Sequence, residues 1–255
     1  MASYFVYDSI EMYRSDNTLD EGTISGTSPT QTFTPSSPAF ANHERAADQN
    51  IGTALSGTGG IQYDLGASAT ANAAAIYFIG ASGGSDPIMT IKAGESGSIT
   101  TINTTAINSV ASAGWVVADC TETTADKFYA SIGGSVSNIS EILIGKKLTF
   151  EIEPDVNIQT STNYQNQVNR SLGGVEYVLN VNPGQEVFTI NFQNFSSTFK
   201  SSLEDMQDDI KGEAKKFVWY DGTDHHWVRL DKPLTFTEIA DGRFSTSITL
   251  RQQIQ

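Results

Sequence analysis

The sequence predicts a mainly β chain: a β-sandwich, then a smaller β-rich domain carrying one amphipathic helix over about residues 197–211. Three observations carry that expectation. Hydrophobic residues make up 38% and charged residues 17% of the 255, and the polar remainder is dominated by Ser, Thr, Asn and Gly, which favour turns over helices. From Gly60 onward, apolar runs of strand length alternate with Gly, Ser and Asp clusters at close, regular spacing, as a sandwich requires. Only one stretch has a convincing helical period: Phe199, Leu203, Met206 and Ile210 recur four, three and four residues apart, along one stripe.

The elements follow in order. Residues 1 to about 14 alternate as a strand. Residues 15–38 are poor in large apolar side chains and punctuated by Gly and Pro, which gives loops and at most one short strand. AFANHERAADQN, 39–50, suits a short helix capped by Asn42 and closed by Asn50 and Gly52. Strands then follow in IQYDLG, ANAAAIYFIG, DPIMTIKAG, SITTIN, GWVVADC, DKFYASIGG and ISEILIGKKLTFEI, several with one wet face: Ile88, Thr90 and Lys92 alternate with Met89 and Ile91. Pro154 interrupts the polar stretch 151–167, an extended connector, so the domains are 1–150 and 168–255. In the second, VEYVLNV and EVFTINF flank NPGQ, where Pro183 presets φ and Gly184 tolerates a positive one, a tight-hairpin signal. The helix starts at Ser196 or Ser197, closes at Gly212, and turns Glu204, Asp205, Asp208 and Asp209 to solvent. KFVWY, HWVRL, LTFTEI and RFSTSITLRQQ complete the strands.

Charge and cysteine content narrow the function. A net charge of −14 with no basic run argues against a direct nucleic-acid partner. The single cysteine, Cys120, permits no intrachain disulfide and no thiolate zinc site, and its place in VVADCTET suits a small apolar residue on a strand. With no secretory leader in MASYFVYDSIEMYR and no run of eighteen apolar residues, neither membrane insertion nor export by a leader is expected.

FVWYDGTDHHWVRL, residues 217–230, holds two of the three histidines and two of the three tryptophans. Its Asp-Gly pair between aromatic strands is a hairpin turn signal. His225 and His226, adjacent on a strand, point to opposite faces and cannot chelate one ion; Asp221 and Asp224 would help only if the loop folded back. The remaining histidine, His43, lies in the other domain. No metal, cofactor or catalytic residue is therefore expected. Trp219, Tyr220 and Trp227 are either core or an outward aromatic strip, and with His225 and His226 they form the candidate interface. Trp115, followed by an apolar strand, suits the core. SGTGG and ASGGS are turns without phosphate-loop spacing. Among Glu141, Glu151, Glu153 and Asp155 no spacing singles out a pair for glycoside chemistry.

DKFYASIGGSVSNISEILIGKKLTFE resembles the last strands of the galactose-binding-like jelly rolls, the discoidin and coagulation-factor type C group, through Ile139, Glu141, Ile142, Ile144 and Gly145. IQYDLGASATANAAAIYFIG is similar to an earlier strand of that group. The flanking cysteine pair of its secreted members is missing. The second half, through RSLGGVEYVLNV, EVFTINFQNFS, KFVWYDG, WVRLDKPLTF and FSTSITLRQQI, resembles tail proteins of long-tailed bacteriophages. That resemblance implies a non-enzymatic structural subunit of a tail tip or baseplate, assembled in the host cytoplasm into the virion. It implies a ring with itself, as a hexamer, and contacts with other tail proteins, through the helix 197–211 and the hairpin Trp219–Trp227. The alternative is a carbohydrate-binding module for a host cell-surface glycan, using Tyr63, Trp115 or Tyr129 with loop Asn and Asp. A hydrolase is the third.

Overall fold

The computed structural model describes residues 2–9, 32–35, 55–56, 59–81, 88–95, 98–106, 113–133, 136–154, 158–164, 166–171, 176–180 and 184–253. The strands are β1 Tyr4–Tyr7, β2 Thr32–Pro35, β3 Leu55–Ser56, β4 Gly59–Ala81, β5 Ile88–Glu95, β6 Ser98–Ala106, β7 Ala113–Gly133 and β8 Val136–Thr149. The second half contributes β9 Gln159–Asn163, β10 Asn166–Arg170, β11 Glu176–Asn180, β12 Gln185–Ser196, helix α1 Ser197–Asp209, β13 Phe217–Tyr220, β14 His225–Leu230, β15 Phe236–Ala240 and β16 Arg243–Gln252. The chain is mainly β, with a sandwich-like first half and one helix among the described residues.

One antiparallel sheet runs through both halves in the order β6-β5-β7-β4-β8-β1-β13-β14-β16-β12-β9, with β2, β3 and β15 attached at its sides. The N-terminal strand is the joint: β1 pairs with β8 through Tyr4↔Thr149 and with β13 through Phe5↔Trp219. Along a flat sheet, β7 and β14 would lie five strand spacings apart, about 24 Å. Yet the rings of Trp115 on β7 and Trp227 on β14 are 4.9 Å apart. The sheet therefore coils onto itself, and its concave face becomes a core. There Ala73 to Phe78 of β4 and Ile139 to Gly145 of β8 are buried without a break; alanines at 73–75 keep the crowded centre thin.

Two of the expected strands merge into β4 and two into β7. Turn-like residues such as Gly66 and Ala67 are absorbed in register shifts between Asp64 and Ala69 and between Ala71 and Ala73, the bulges that let a long strand bend. Gly145, which ends the Ile142-Leu143-Ile144 run, has a spatial reason to be glycine. A Cβ there would sit 1.9 Å from the Tyr7 carbonyl oxygen and 2.8 Å from the Ser9 nitrogen.

The convex face of the second half packs on α1. Phe199, Leu203, Met206 and Ile210, the expected stripe, are buried against Phe188, Ile190, Phe192, Phe217 and Leu250. Ser196 caps the helix by accepting a hydrogen bond from the Phe199 N–H at 3.2 Å. At the other end Gly212 N–H reaches the Gln207 carbonyl and Lys211 N–H the Asp208 carbonyl, a Schellman closure. Lys211, at φ 55°, takes the first left-handed position and Gly212 the next.

One expectation is corrected. β11 pairs with β10 and not with β12, the registers being Val168↔Val178 and Arg170↔Glu176; β12 lies between β16 and β9. Two turn-forming sequences, SLGG and NPGQ, bracket β11, and the cross-strand partners offered by 166–170, including an Arg–Glu pair, decide between them. The short helix expected at 39–50 lies outside the described residues.

Candidate functional site

The hairpin singled out by the sequence is built from β13 and β14, paired Phe217↔Val228 to Tyr220↔His225. Asp221 organises its turn: one carboxylate oxygen accepts from the Thr223 and Asp224 N–H groups at 2.7 and 2.8 Å, the other lies 3.1 Å from His226 Nε2. Burial works against the charge of Asp221, but those backbone N–H groups and His226 outweigh it and hold the carboxyl below its usual range. Gly222 supplies the positive φ of 102°.

The two histidines lie on opposite faces. His226 packs on Trp219 and Phe188, each 5.0 Å from its ring. His225 sits beside Tyr220 and 2.9 Å from the Tyr4 hydroxyl through Nε2. Burial, then the neighbouring His226, push the His225 imidazole down to about 4. Burial holds the Tyr4 phenol in its protonated form, so the phenol donates and the imidazole accepts. Lys147 covers the Tyr4 ring at 4.1 Å while paired with Asp119. No group of His, Cys, Asp and Glu able to hold a metal ion occurs among the described residues.

Trp219 and Trp227, offered as part of an interface, are each 1% exposed and belong to the two cores on either side of the sheet. Their indole N–H groups meet no acceptor among the described residues, so the rings serve by area. Tyr220, His225 and His226 are half-buried, and the Tyr220 hydroxyl is committed to the Gly222 carbonyl at 2.7 Å. The cause is the coiling of the sheet, which no local alternation announces: the face that would carry an outward strip closes on Trp115 and Tyr77.

The sugar-facing candidates also change. Trp115 is buried and forms no platform. Tyr129 is half-buried with Lys92 Nζ 5.2 Å from its ring, and the side chain of Tyr63 lies outside the described residues. The candidate acids have separate structural posts. Glu141 is fully buried; Glu151 accepts from the Ser196 hydroxyl and N–H at the start of α1; Glu153 accepts from Ser3; Asp155 lies outside the described residues. Cys120 is half-buried on β7, its thiol pushed up to about 11 by burial and by Asp119.

The feature that sequence reasoning missed lies across β12, β16 and β15, on the side away from α1. Asn191 pairs with Ser247 and Thr237 with Ser245, and together with Phe192, Gln193, Thr235, Ile239 and Thr246 they line an open groove of about 410 Å³. None of the nine lining residues is ionisable. A register shift between Glu238 and Ala240 accompanies the exposure of Ile239 at 53%. A second irregularity, between Phe192 and Phe195 with Asn194 at φ 61°, turns Gln193 and Asn194 outward. The only sequence signal was the polar alternation of TINFQN and STSIT, which marks a wet face but not a concave one.

No protein-family profile matches the sequence, and no curated protein matches it. Among solved structures, the chain is similar to the family 32 carbohydrate-binding module of AlyQ, in complex with 4,5-unsaturated mannuronic acid, at 19% identity over 50% of this chain and 100% of that one, with a TM-score of 0.36. It is similar to the family 32 module of Clostridium perfringens NanJ, in complex with galactose, at 19% identity over 46% and 93%, TM-score 0.34. The C-terminal domain of a Bacteroides fragilis chitobiase aligns at 15% identity over 50% and 99%, TM-score 0.35. Overlaps this partial define neither a family nor a ligand for this chain.

Proposed function

We propose that the chain is a non-catalytic recognition protein whose groove between β12, β15 and β16 takes a neutral carbohydrate. The observation that carries this reading is the lining: hydroxyls of Ser245, Ser247, Thr235 and Thr237, amides of Asn191 and Gln193, one exposed aliphatic side chain, Ile239, and no charge. A sugar presents hydroxyls around its rim, each both donor and acceptor, and C–H groups on its faces; amides and hydroxyls match the first and Ile239 the second. A charged ligand would lose water there without gaining a counter-charge. The groove falls in the range of about 300–1,000 Å³ usual for small-ligand clefts. It holds no carboxylate to act as acid, base or nucleophile, and glycoside hydrolysis needs two.

A glycan array followed by calorimetry on the best neutral hit tests the reading. Replacing Asn191 and Ser247 together by Ala is expected to weaken binding about tenfold or more, and affinity is expected to hold from about 0.05 to 0.5 M salt, as an uncharged pair requires. A blank array, or binding indifferent to both substitutions, sinks it.

A second reading, a structural subunit of a phage tail tip carried in the virion, draws on one observation: the strand margin around β9, β10 and β11, whose only charged side chains, Arg170 and Glu176, pair with each other, suits contact between copies. Closed rings in negative-stain images of concentrated protein support it, and particles of monomer size alone count against it.

A further inference from the structure

The geometry points to self-association: we infer that the β10–β11 ribbon of one copy of this chain adds to the open edge of β9 in a second copy. Among the described residues, β10 and β11 form a sheet of their own, with no strand pairing except to each other, and a two-stranded ribbon by itself is marginal in water. β9 ends the large sheet. Among the described residues it pairs with β12 on one side only, all five of its residues are exposed, and it carries neither of two common edge guards, a charged side chain or a proline. One chain thus carries both an edge short of a strand and strands short of an edge.

Exposed apolar side chains lie on or beside these same strands. Of five exposed large hydrophobic side chains among the described residues, four are Ile158, Tyr164, Tyr177 and Val178, with the last two 62% and 64% exposed. Charge selects the occupant. Copies of a chain with net charge −14 repel one another over most of their surface. Between residues 158 and 180 the only charged side chains are Arg170 and Glu176, which lie opposite each other and pair, with Arg170 Nε 2.6 Å from Glu176 Oε1. This margin is neutral, so two copies can meet there without that penalty. A basic partner would find stronger attraction elsewhere on the molecule. Because ribbon and edge are different surfaces, the contact is head-to-tail and extends to a ring or a row.

Sedimentation velocity on the full chain, from about 1 to 500 µM, tests this with two variants. Tyr177→Asp with Val178→Asp spoils the ribbon, while Gln159→Lys with Ser161→Lys guards the edge. Wild type is expected to associate with rising concentration, and each variant to raise the dissociation constant about tenfold or more with the tryptophan emission of the folded state unchanged. Mixing the variants is expected to restore a dimer, since one keeps a sound edge and the other a sound ribbon. A wild type monomeric throughout, assembly that survives both variants, or a mixture that stays monomeric overturns the inference.

Discussion

β1 and β9 are both short strands of one sheet, and their surroundings are opposite. β1 sits mid-sheet, paired on both sides, with all four residues buried; Phe5 meets Phe150 and Phe217 edge-on and Tyr4 stacks on Tyr220 at 4.9 Å. Immediately after it Asp8, 0% exposed, pairs with Lys215 at 2.9 Å. β9 sits at the end, paired on one side, polar and exposed. The aromatic residues that look most like a binding surface in the sequence are thus spent on the joint between the halves. The exposed margin of β9 and the groove beside it are built mainly from Ser, Thr, Asn and Gln.

The sharpest way to break that contrast is to strike both places. Lys215→Ala leaves Asp8 buried beside an empty place, and removing one partner of a buried pair costs about 3–5 kcal/mol. Tyr177→Asp at the margin is expected to change the stability of the monomer by less than about 0.5 kcal/mol, as exposed substitutions do. Urea denaturation followed by tryptophan emission reads both, since Trp115, Trp219 and Trp227 are all buried. Pairing Lys215→Met with Asp8→Asn is expected to recover part of the loss. Equal costs at the two sites would remove the distinction between joint and margin.

Class and periodicity were legible wherever one local rule decided the outcome. The stripe from Phe199 to Ile210 had only one helical reading, and the Asp221-Gly222 turn only one strand pairing. Opposite faces for His225 and His226 followed from strand alternation alone. What stayed hidden depends on how strands distant in sequence meet. Nothing near Trp227 shows that Trp115 will cover it, because that contact needs the sheet to coil through five strand spacings. Nothing near β11 shows that its partner will be β10, since two turn sequences compete. The groove was hidden for a related reason: its lining comes from three strands, and its concavity from irregularities that polar alternation does not record.

A smaller effect distinguishes the two faces of the joint by pH. The His225 imidazole drops from its usual 6.5 to about 4, so the unfolded chain takes up this proton first as pH falls. Its contribution to stability is whole above pH 6.5 and is lost as pH falls toward 4. Asp209, raised by burial to about 6 from 3.8, with Asp8 adding and Lys146, Lys215 and Lys211 opposing, works in the other direction. The folded state takes up that proton first, and stability is gained as pH falls through 6 toward 4. Because both groups are partly solvated, each slope is expected to be on the order of 1 kcal/mol. Denaturation midpoints between pH 4 and 7 should therefore fall less steeply on acidification in His225→Gln and more steeply in Asp209→Asn. Unchanged profiles in both would show that neither group differs in proton affinity between the folded and unfolded chain.

The smallest expected effect lies at the margin side of the comparison, where Asn194 directly follows Gln193 of the groove lining. Phe192 and Phe195 are three residues apart and on an unbroken strand would face opposite ways; the irregularity between them puts both in the core beneath α1, at 1% and 0% exposure. The cost is a left-handed backbone at Asn194, with φ 61°, which Asn tolerates better than any β-branched or bulky residue. Asn194→Ala is expected to lose about 1 kcal/mol, and Asn194→Gly to change stability by less than about 0.5 kcal/mol because the relieved strain offsets the freedom added to the unfolded chain. Thermal melts of the two variants side by side read the difference, which cancels whatever the amide side chain itself contributes. If Ala and Gly melt together, the outward turn at Gln193 is held by its neighbours on β16 and not by the conformation of residue 194, and the groove lining there is then as rigidly built as the joint.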